Sequence, residues 1–196
     1  EETVLEIAQN KNLSQIKGIT YRQNGNVISN EQRPFIADLD TLAFPSRHLL
    51  LMEKYFTRLN KYEYSLRPPG TTIMVARGCI NNCTFCESPF IWGGRIRFRT
   101  PSSVCDEIEQ LQNQYGINDI FFFDDTFNFS PDWIKKFHDE LKKRKLKISY
   151  RCLARVMITQ ETLKLMKDSG CYHISFGVES ASDRVLKAVK KHITKE

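Results

Sequence analysis

From about Thr71 onward the chain alternates short apolar runs with stretches in which apolar residues recur every three or four positions. Thr71–Gly78, Ile117–Phe123, Lys147–Arg155 and Tyr172–Val178 read as strands, and the second is apolar enough to expect burial on both faces. Ser102–Tyr115 reads as a helix, with Val104, Ile108, Leu111 and Tyr115 on one face, a start signal at Thr100-Pro101 and a stop at Gly116. Ser130-Pro131-Asp132 opens a second helix, Thr159 caps a third that runs to Ser169, and Asp183–His192 begins a fourth. Four strand–helix units in succession build a parallel sheet with right-handed crossovers, so the fold class is α/β.

Each strand ends in polar or ligand-type residues. Cys79, Cys83 and Cys86 follow the first, Asp124 and Asp125 the second, Arg155 the third, and Glu179 with Ser180 the fourth. Active sites of α/β barrels form at that end of the strands, which narrows the expectation to a TIM-like (β/α) barrel. No Gly-x-Gly-x-x-Gly follows any strand, which weighs against a dinucleotide-binding fold.

The first 70 residues have another pattern. Ile16–Tyr21 and Val27–Ile28 flank Asn24-Gly25, a hairpin signal. An extended connector follows through Arg33-Pro34 and Phe44-Pro45, then a short helix near Arg47–Phe56, and Pro68-Pro69-Gly70 marks a boundary. The expected division is 1–69, the tail of a preceding domain plus linker, and 70–196, the N-terminal part of a barrel. The chain begins without Met and stops inside a charged helical pattern, so it reads as a piece of a longer protein.

With 196 residues, 41% of them apolar, the chain can bury one core with an appendage. No apolar stretch reaches the roughly 18 residues of a membrane-spanning helix, and a cytoplasmic location is expected. The net charge of +6 owes much to Lys135, Lys136, Lys142, Lys143, Arg144, Lys145 and Lys147. These alternate with Trp133, Ile134, Phe137 and Leu141 at helical spacing, so they read as the solvated side of an amphipathic helix rather than a nucleic-acid surface.

Cys79-x-x-x-Cys83-x-x-Cys86 carries the chemistry. Three thiolates on one loop can hold three corners of a cubic [4Fe-4S] cluster and leave the fourth iron open to a small molecule. A closed zinc site needs a fourth ligand, and His48 and His138 are distant without knuckle spacing. Disulfides would suit a small secreted scaffold, which this chain does not resemble. Cys105, Cys152 and Cys171 sit singly in apolar patterns and read as core residues.

The cysteine motif with Phe85 before its last member, FFFDDTFN at Phe121–Asn128 and ISFGVESASDRVLKAVKK at Ile174–Lys191 resemble the radical S-adenosylmethionine (AdoMet) superfamily. The lead-in from Ile16 to Arg47 is similar to the stretch joining a cobalamin-binding domain to such a barrel in anaerobic magnesium-protoporphyrin monomethyl ester cyclases and B12-dependent methyltransferases. The resemblance implies a [4Fe-4S] cluster on Cys79, Cys83 and Cys86 that reductively cleaves AdoMet to a 5′-deoxyadenosyl radical. That radical abstracts hydrogen from a small-molecule substrate in a methyl transfer or an oxidative cyclisation. It further implies that Phe85 packs near the adenine and that Asp124 and Asp125 lie near the amino or ribose groups. Arg155, Glu179, Ser180 and Lys191 would bind cofactor or substrate, and flavodoxin or ferredoxin would supply the electron.

The resemblance has departures. Six strands are usual in that partial barrel and four are legible, so an exposed sheet edge could drive dimerisation. No Asp-x-His-x-x-Gly is present, which puts any cobalamin site upstream of Glu1. Alternatives from other classes are an RNA-modifying member of the superfamily and a cluster-bearing electron-transfer module. Lys191 could also be a solvated helix lysine, and Phe85 a core residue.

Overall fold

The computed structural model describes residues 1–59 and 69–195. They form two compact units, Glu1–Ala37 and Asp38–Glu196. The first holds helix α1 (Glu2–Ala8) and the hairpin β1 (Thr20–Gln23) and β2 (Asn26–Ser29). Gln23 pairs with Asn26, leaving Asn24 and Gly25 as a two-residue turn with φ of 50° and 82°. Both angles are left-handed, as the tight turn matching strand twist requires. Arg33 ties the helix down, pairing with Glu2 and Glu6 and donating to Thr3 Oγ1.

The second unit begins with two 3-10 turns, Leu39–Thr41 and Arg47–Leu49, and helix α2 (Met52–Leu59). Of the expected Pro68-Pro69-Gly70 boundary, Pro68 lies outside the described residues. Then follow β3 (Gly70–Ile73), β4 (Ala76–Arg77), α3 (Ser88–Trp92), β5 (Arg97–Phe98), α4 (Pro101–Tyr115) and β6 (Asp119–Phe122). The chain continues through α5 (Pro131–Arg144), β7 (Ser149–Ala154), α6 (Gln160–Asp168), β8 (Cys171–Phe176) and α7 (Asp183–Ala188). Strands β3, β6, β7 and β8 pair in that order, every neighbour parallel, as a partial TIM-like barrel wall.

The caps expected from the sequence are made. Thr100, Ser130 and Thr159 each accept the backbone N–H three residues on, and Gly116 closes α4 at φ 64°. All four residues of β6 are buried, as a strand covered on both faces must be. Phe122, Phe127, Trp133, Phe137 and Tyr150 interlock at the centre, with Phe122 4.7 Å from Phe127 and 5.1 Å from Tyr150. Each such side chain stabilises the fold by roughly 1.5–3 kcal/mol through burial. The lysines of α5 face solvent, while Trp133, Ile134, Phe137 and Leu141 face the core.

Two elements differ from the sequence expectation. Thr71–Gly78 is not one strand: β3 stops at Ile73, and Ala76–Arg77 turns away to pair antiparallel with Arg97–Phe98. The cause is Asp124, whose Oδ1 accepts the N–H groups of Val75 at 2.7 Å and Ala76 at 2.6 Å. The last helix ends at Ala188 rather than His192. Lys191 N–H reaches back to the Leu186 carbonyl at 2.9 Å, and Lys190 and His192 have φ of 54° and 57°, which no helix continues.

Candidate metal and cofactor site

The cysteine loop is held as a closed bay by the β4–β5 ribbon. Gly78, at φ 101°, makes that closure: a Cβ there would lie 2.0 Å from the Arg95 carbonyl oxygen. Only glycine allows the two backbones to meet so closely. Within the bay Asn81 Nδ2 donates to Cys79 Sγ at 3.2 Å, and the Cys86 N–H bonds the Cys83 carbonyl at 3.1 Å. The segment after α7 lies over the loop. Thr84 N–H bonds the Val189 carbonyl at 3.1 Å, and Cys83 Sγ faces the Lys190 carbonyl at 3.6 Å.

Cys79, Cys83 and Cys86 line one cleft of about 360 Å³ with Phe85, Asp125, Arg155, Glu179 and Lys191. The Arg155 guanidinium reaches Cys83 Sγ at 4.0 Å and bonds the Lys191 carbonyl. Lys191 Nζ pairs with Glu179 Oε1 at 2.9 Å and lies 5.9 Å from the centre of the Phe85 ring. The Lys191 side chain is therefore buried in the cleft wall and not a solvated helix lysine. Gly177 permits this pair, because a Cβ there would sit 2.8 Å from the Glu179 carboxylate. Phe85 is 54% exposed in the cleft, so it is not a core residue.

Asp124 and Ser180 stand apart from that group. Asp124 is buried behind the wall and spends Oδ1 on two backbone donors, while its Oδ2 is buried with no hydrogen-bond partner. Burial raises its pKa to about 7; the Ala76 and Val75 N–H groups and Arg99 pull the other way, and neighbouring Asp125 adds to the rise. Ser180 lines an adjoining cavity of about 600 Å³ with Met157, Val178 and Leu186. Asp125 does line the cleft and accepts the Ser88 hydroxyl at 2.6 Å.

Asn81, Ser88, Thr126 and Asn128 are not among the site residues expected from the sequence, although Thr126 and Asn128 lie in the FFFDDTFN segment, yet they line or brace the site. Asn128 clamps Arg155 from both sides, accepting its N–H and donating to its carbonyl, each at 2.9 Å. Thr126 Oγ1 stands 4.0 Å from Cys79 Sγ. Among the described residues no three His, Cys, Asp or Glu side chains crowd one point as the ligands of a single ion do. A cube spreads its ligands over different corners, so three cysteines need only face one cavity, as these do.

No disulfide joins any of the six cysteines, all of which are among the described residues. Cys105 is buried and its thiol pushed up to about 12, chiefly by burial. Cys152 and Cys171 lie together on β7 and β8, away from the cleft. Their mutual hydrogen bond raises the Cys152 pKa and lowers that of Cys171.

Residues 73–196 match the family model described as the radical SAM superfamily. An uncharacterized methyltransferase of Pyrococcus horikoshii, PH0819, is 34% identical over 99% of the chain and 41% of its own length. The anaerobic magnesium-protoporphyrin IX monomethyl ester cyclase of Cereibacter sphaeroides is 28% identical over 92% of the chain and 29% of its own length. The chain thus spans well under half of these relatives. Among solved structures, the radical S-adenosylmethionine methyltransferase TsrM of Kitasatospora setae, with cobalamin and a [4Fe-4S] cluster bound, superposes on 98% of the chain. The match takes in 39% of the TsrM chain at a TM-score of 0.69 and 19% identity, a likeness of fold.

Proposed function

The chain belongs to the radical SAM superfamily, and from that premise we propose that it is the AdoMet-cleaving core of a radical methyltransferase or oxidative cyclase. One observation carries the reading: three cysteines, two cations and two carboxylates share one cleft at the C-terminal ends of parallel strands. Cys79, Cys83 and Cys86 would hold a [4Fe-4S] cluster, which would supply the electron for reductive cleavage of AdoMet to methionine and a 5′-deoxyadenosyl radical.

The chain's own residues hold and orient. Asn81 and Arg155 offer N–H groups toward the Cys79 and Cys83 sulfurs, and such donors stabilise negative charge on thiolates. Lys191 and Arg155 are the partners for a carboxylate, and Glu179 for an ammonium or a ribose hydroxyl. Phe85 offers a flat exposed ring for an adenine. Asp125 is the acidic residue of its pair available to the cofactor, because Asp124 is committed to the backbone of Val75 and Ala76.

The names of the relatives, a methyltransferase, a cyclase and a methyltransferase with cobalamin bound, support methyl transfer or ring formation on a small molecule with cobalamin as a further cofactor. A reducing partner such as flavodoxin or ferredoxin, and a cytoplasmic setting low in oxygen, belong to the same reading. Among the described residues no helix is long and apolar enough to cross a membrane.

The test is anaerobic reconstitution with iron and sulfide, followed by electron paramagnetic resonance of the reduced protein with and without AdoMet. A [4Fe-4S] signal that shifts with AdoMet and is lost in Cys83→Ala is the expected result. Stoichiometric zinc in place of a cluster overturns the reading.

A further inference from the structure

We propose that residues 189–192 form a strap latched over the middle of the cysteine loop, and that the backbone at Lys190 and His192 governs when Cys83 can join Cys79 and Cys86 around a metal group. Lys190 and His192 are thus positioning residues, acting through the loop. The inference rests on the reading of the cleft as a cluster site.

Each residue of the strap reaches the loop or the cleft. The Val189 carbonyl accepts the Thr84 N–H at 3.1 Å, and the Lys190 carbonyl stands 3.6 Å from Cys83 Sγ. The Lys191 carbonyl takes the Arg155 guanidinium, and His192 Nε2 donates to Asn82 Oδ1 at 3.3 Å. Asn82, Cys83 and Thr84 are consecutive, so the strap covers the central ligand and both its neighbours. Its far end is tied down where the Lys195 N–H bonds Asp183 Oδ1 at 3.0 Å. The cover is selective: Cys83 is 9% exposed, whereas Cys79 and Cys86 are half-buried.

The strap is held against its own backbone preference. Lys190 and His192 both lie at left-handed φ, which disfavours any residue with a Cβ. The first angle closes α7, but the second belongs to no helix end. Such angles persist where contacts fix them, and here the contacts are those to the cysteine loop. One of them does not survive metal binding. Cys83 Sγ meets the Lys190 carbonyl by donating its hydrogen, and a sulfur bound to a metal has no hydrogen to donate. Loading the site sets that sulfur against the carbonyl oxygen and favours the raised strap. Lys191 lies between the two left-handed residues and pairs with Glu179, so lifting the strap moves the cleft wall as well.

The Lys190 side chain is exposed, so exchanging it acts through the backbone. Lys190→Gly relieves the latched form, whereas His192→Val disfavours it and removes the bond to Asn82. The full-length protein, reduced and free of metal, is treated with N-ethylmaleimide, and labelling of each cysteine is timed by peptide mass spectrometry. Cys79 and Cys86 serve as references within the loop, and fully buried Cys105 reports general opening. Cys83 should label slowest of the three ligands in wild type, about threefold slower still in Lys190→Gly and about tenfold faster in His192→Val. The other three cysteines should stay within about twofold, and the initial rate of iron uptake on reconstitution should follow the order of the Cys83 rates. Cys83 rates within about twofold across the three proteins overturn the proposal. So does equal acceleration of Cys83 and Cys105 in His192→Val, which marks general loosening, or iron uptake that ignores the Cys83 order. Wild-type protein that takes up no iron removes the cleft reading itself, and the labelling series, which needs no metal, keeps that outcome apart from failure of the strap.

Discussion

Asp124 offers the sharpest quantitative test, because one carboxylate both bends the chain into the cysteine bay and carries an uncompensated buried oxygen. Asp124→Ala leaves the Val75 and Ala76 N–H groups, held at 2.7 and 2.6 Å, without an acceptor. At about 1–3 kcal/mol for each buried unsatisfied donor, the loss is about 2–6 kcal/mol. Asp124→Asn keeps Oδ1 and removes the ionisable group. Its behaviour depends on pH, because burial raises the folded-state pKa from 3.8 to about 7. Between those values the folded protein binds a proton that the unfolded chain does not, so stability falls as pH rises across that window. The fall approaches about 4 kcal/mol at full ionisation, from about three pKa units at 1.36 kcal/mol each. Urea unfolding at pH 5 and pH 8 should therefore show wild type less stable at pH 8, Asp124→Asn flatter with pH and at least as stable as wild type at pH 8, and Asp124→Ala weakened at both. An Asn variant as damaged as the Ala variant, with wild-type pH dependence, would refute the reasoning.

Three further changes probe the site. Gly78→Ala drives a Cβ to 2.0 Å from the Arg95 carbonyl, whereas Gly94→Ala meets nothing within 4 Å. The first should cost at least about 4 kcal/mol and abolish iron uptake, and the second only about 1–2 kcal/mol from its left-handed backbone, compared by unfolding and iron content. Glu107, buried between Arg47 and Arg99, should lose about 3–5 kcal/mol on mutation to Ala, because two guanidinium groups are left without their shared carboxylate. Thermal unfolding reads it, and a variant within about 0.5 kcal/mol of wild type would deny the triad a structural role. Lys191→Met should weaken binding of S-adenosylhomocysteine, measured by calorimetry on the reconstituted protein, by about ten- to a hundredfold through its amino-acid end. Adenosine, which lacks that end, should bind unchanged, and equal losses for both ligands would argue against the assignment.

The α/β class, the order of the four strand–helix units and their caps were legible because each rests on residues a few positions apart. Thr100 to Ser103, Ser130 to Trp133 and Asn24-Gly25 are local devices that act before any long-range contact forms. The three cysteines were legible for the same reason. What failed at the edges failed where a distant residue intervened. Nothing near Ile73 says that the strand must break there, since the acceptor that bends it lies 48 and 49 residues on. Asp124 and Ser180 follow the same strands as Asp125 and Glu179, but the loops after Phe122 and Phe176 set Asp124 on the backbone of Val75 and Ala76 and Ser180 in the adjoining cavity.

By itself, then, the sequence determined the periodicity and the turns, set by backbone propensity and hydrophobic pattern over one or two turns of chain, and the spacing of the three cysteines. Tertiary structure alone decided which polar groups meet in the cleft. Lys191 became a wall residue because its helix ended early and its ammonium found Glu179, 12 residues away, and Arg155 was aimed by Asn128 from another strand end. Cys83 meets Lys190 across 107 residues, and Glu107 draws in Arg47 from the segment ahead of the barrel. Charged groups remain buried only where folding supplies a partner, so the identity of those partners is a property of the packed barrel and not of the local chain.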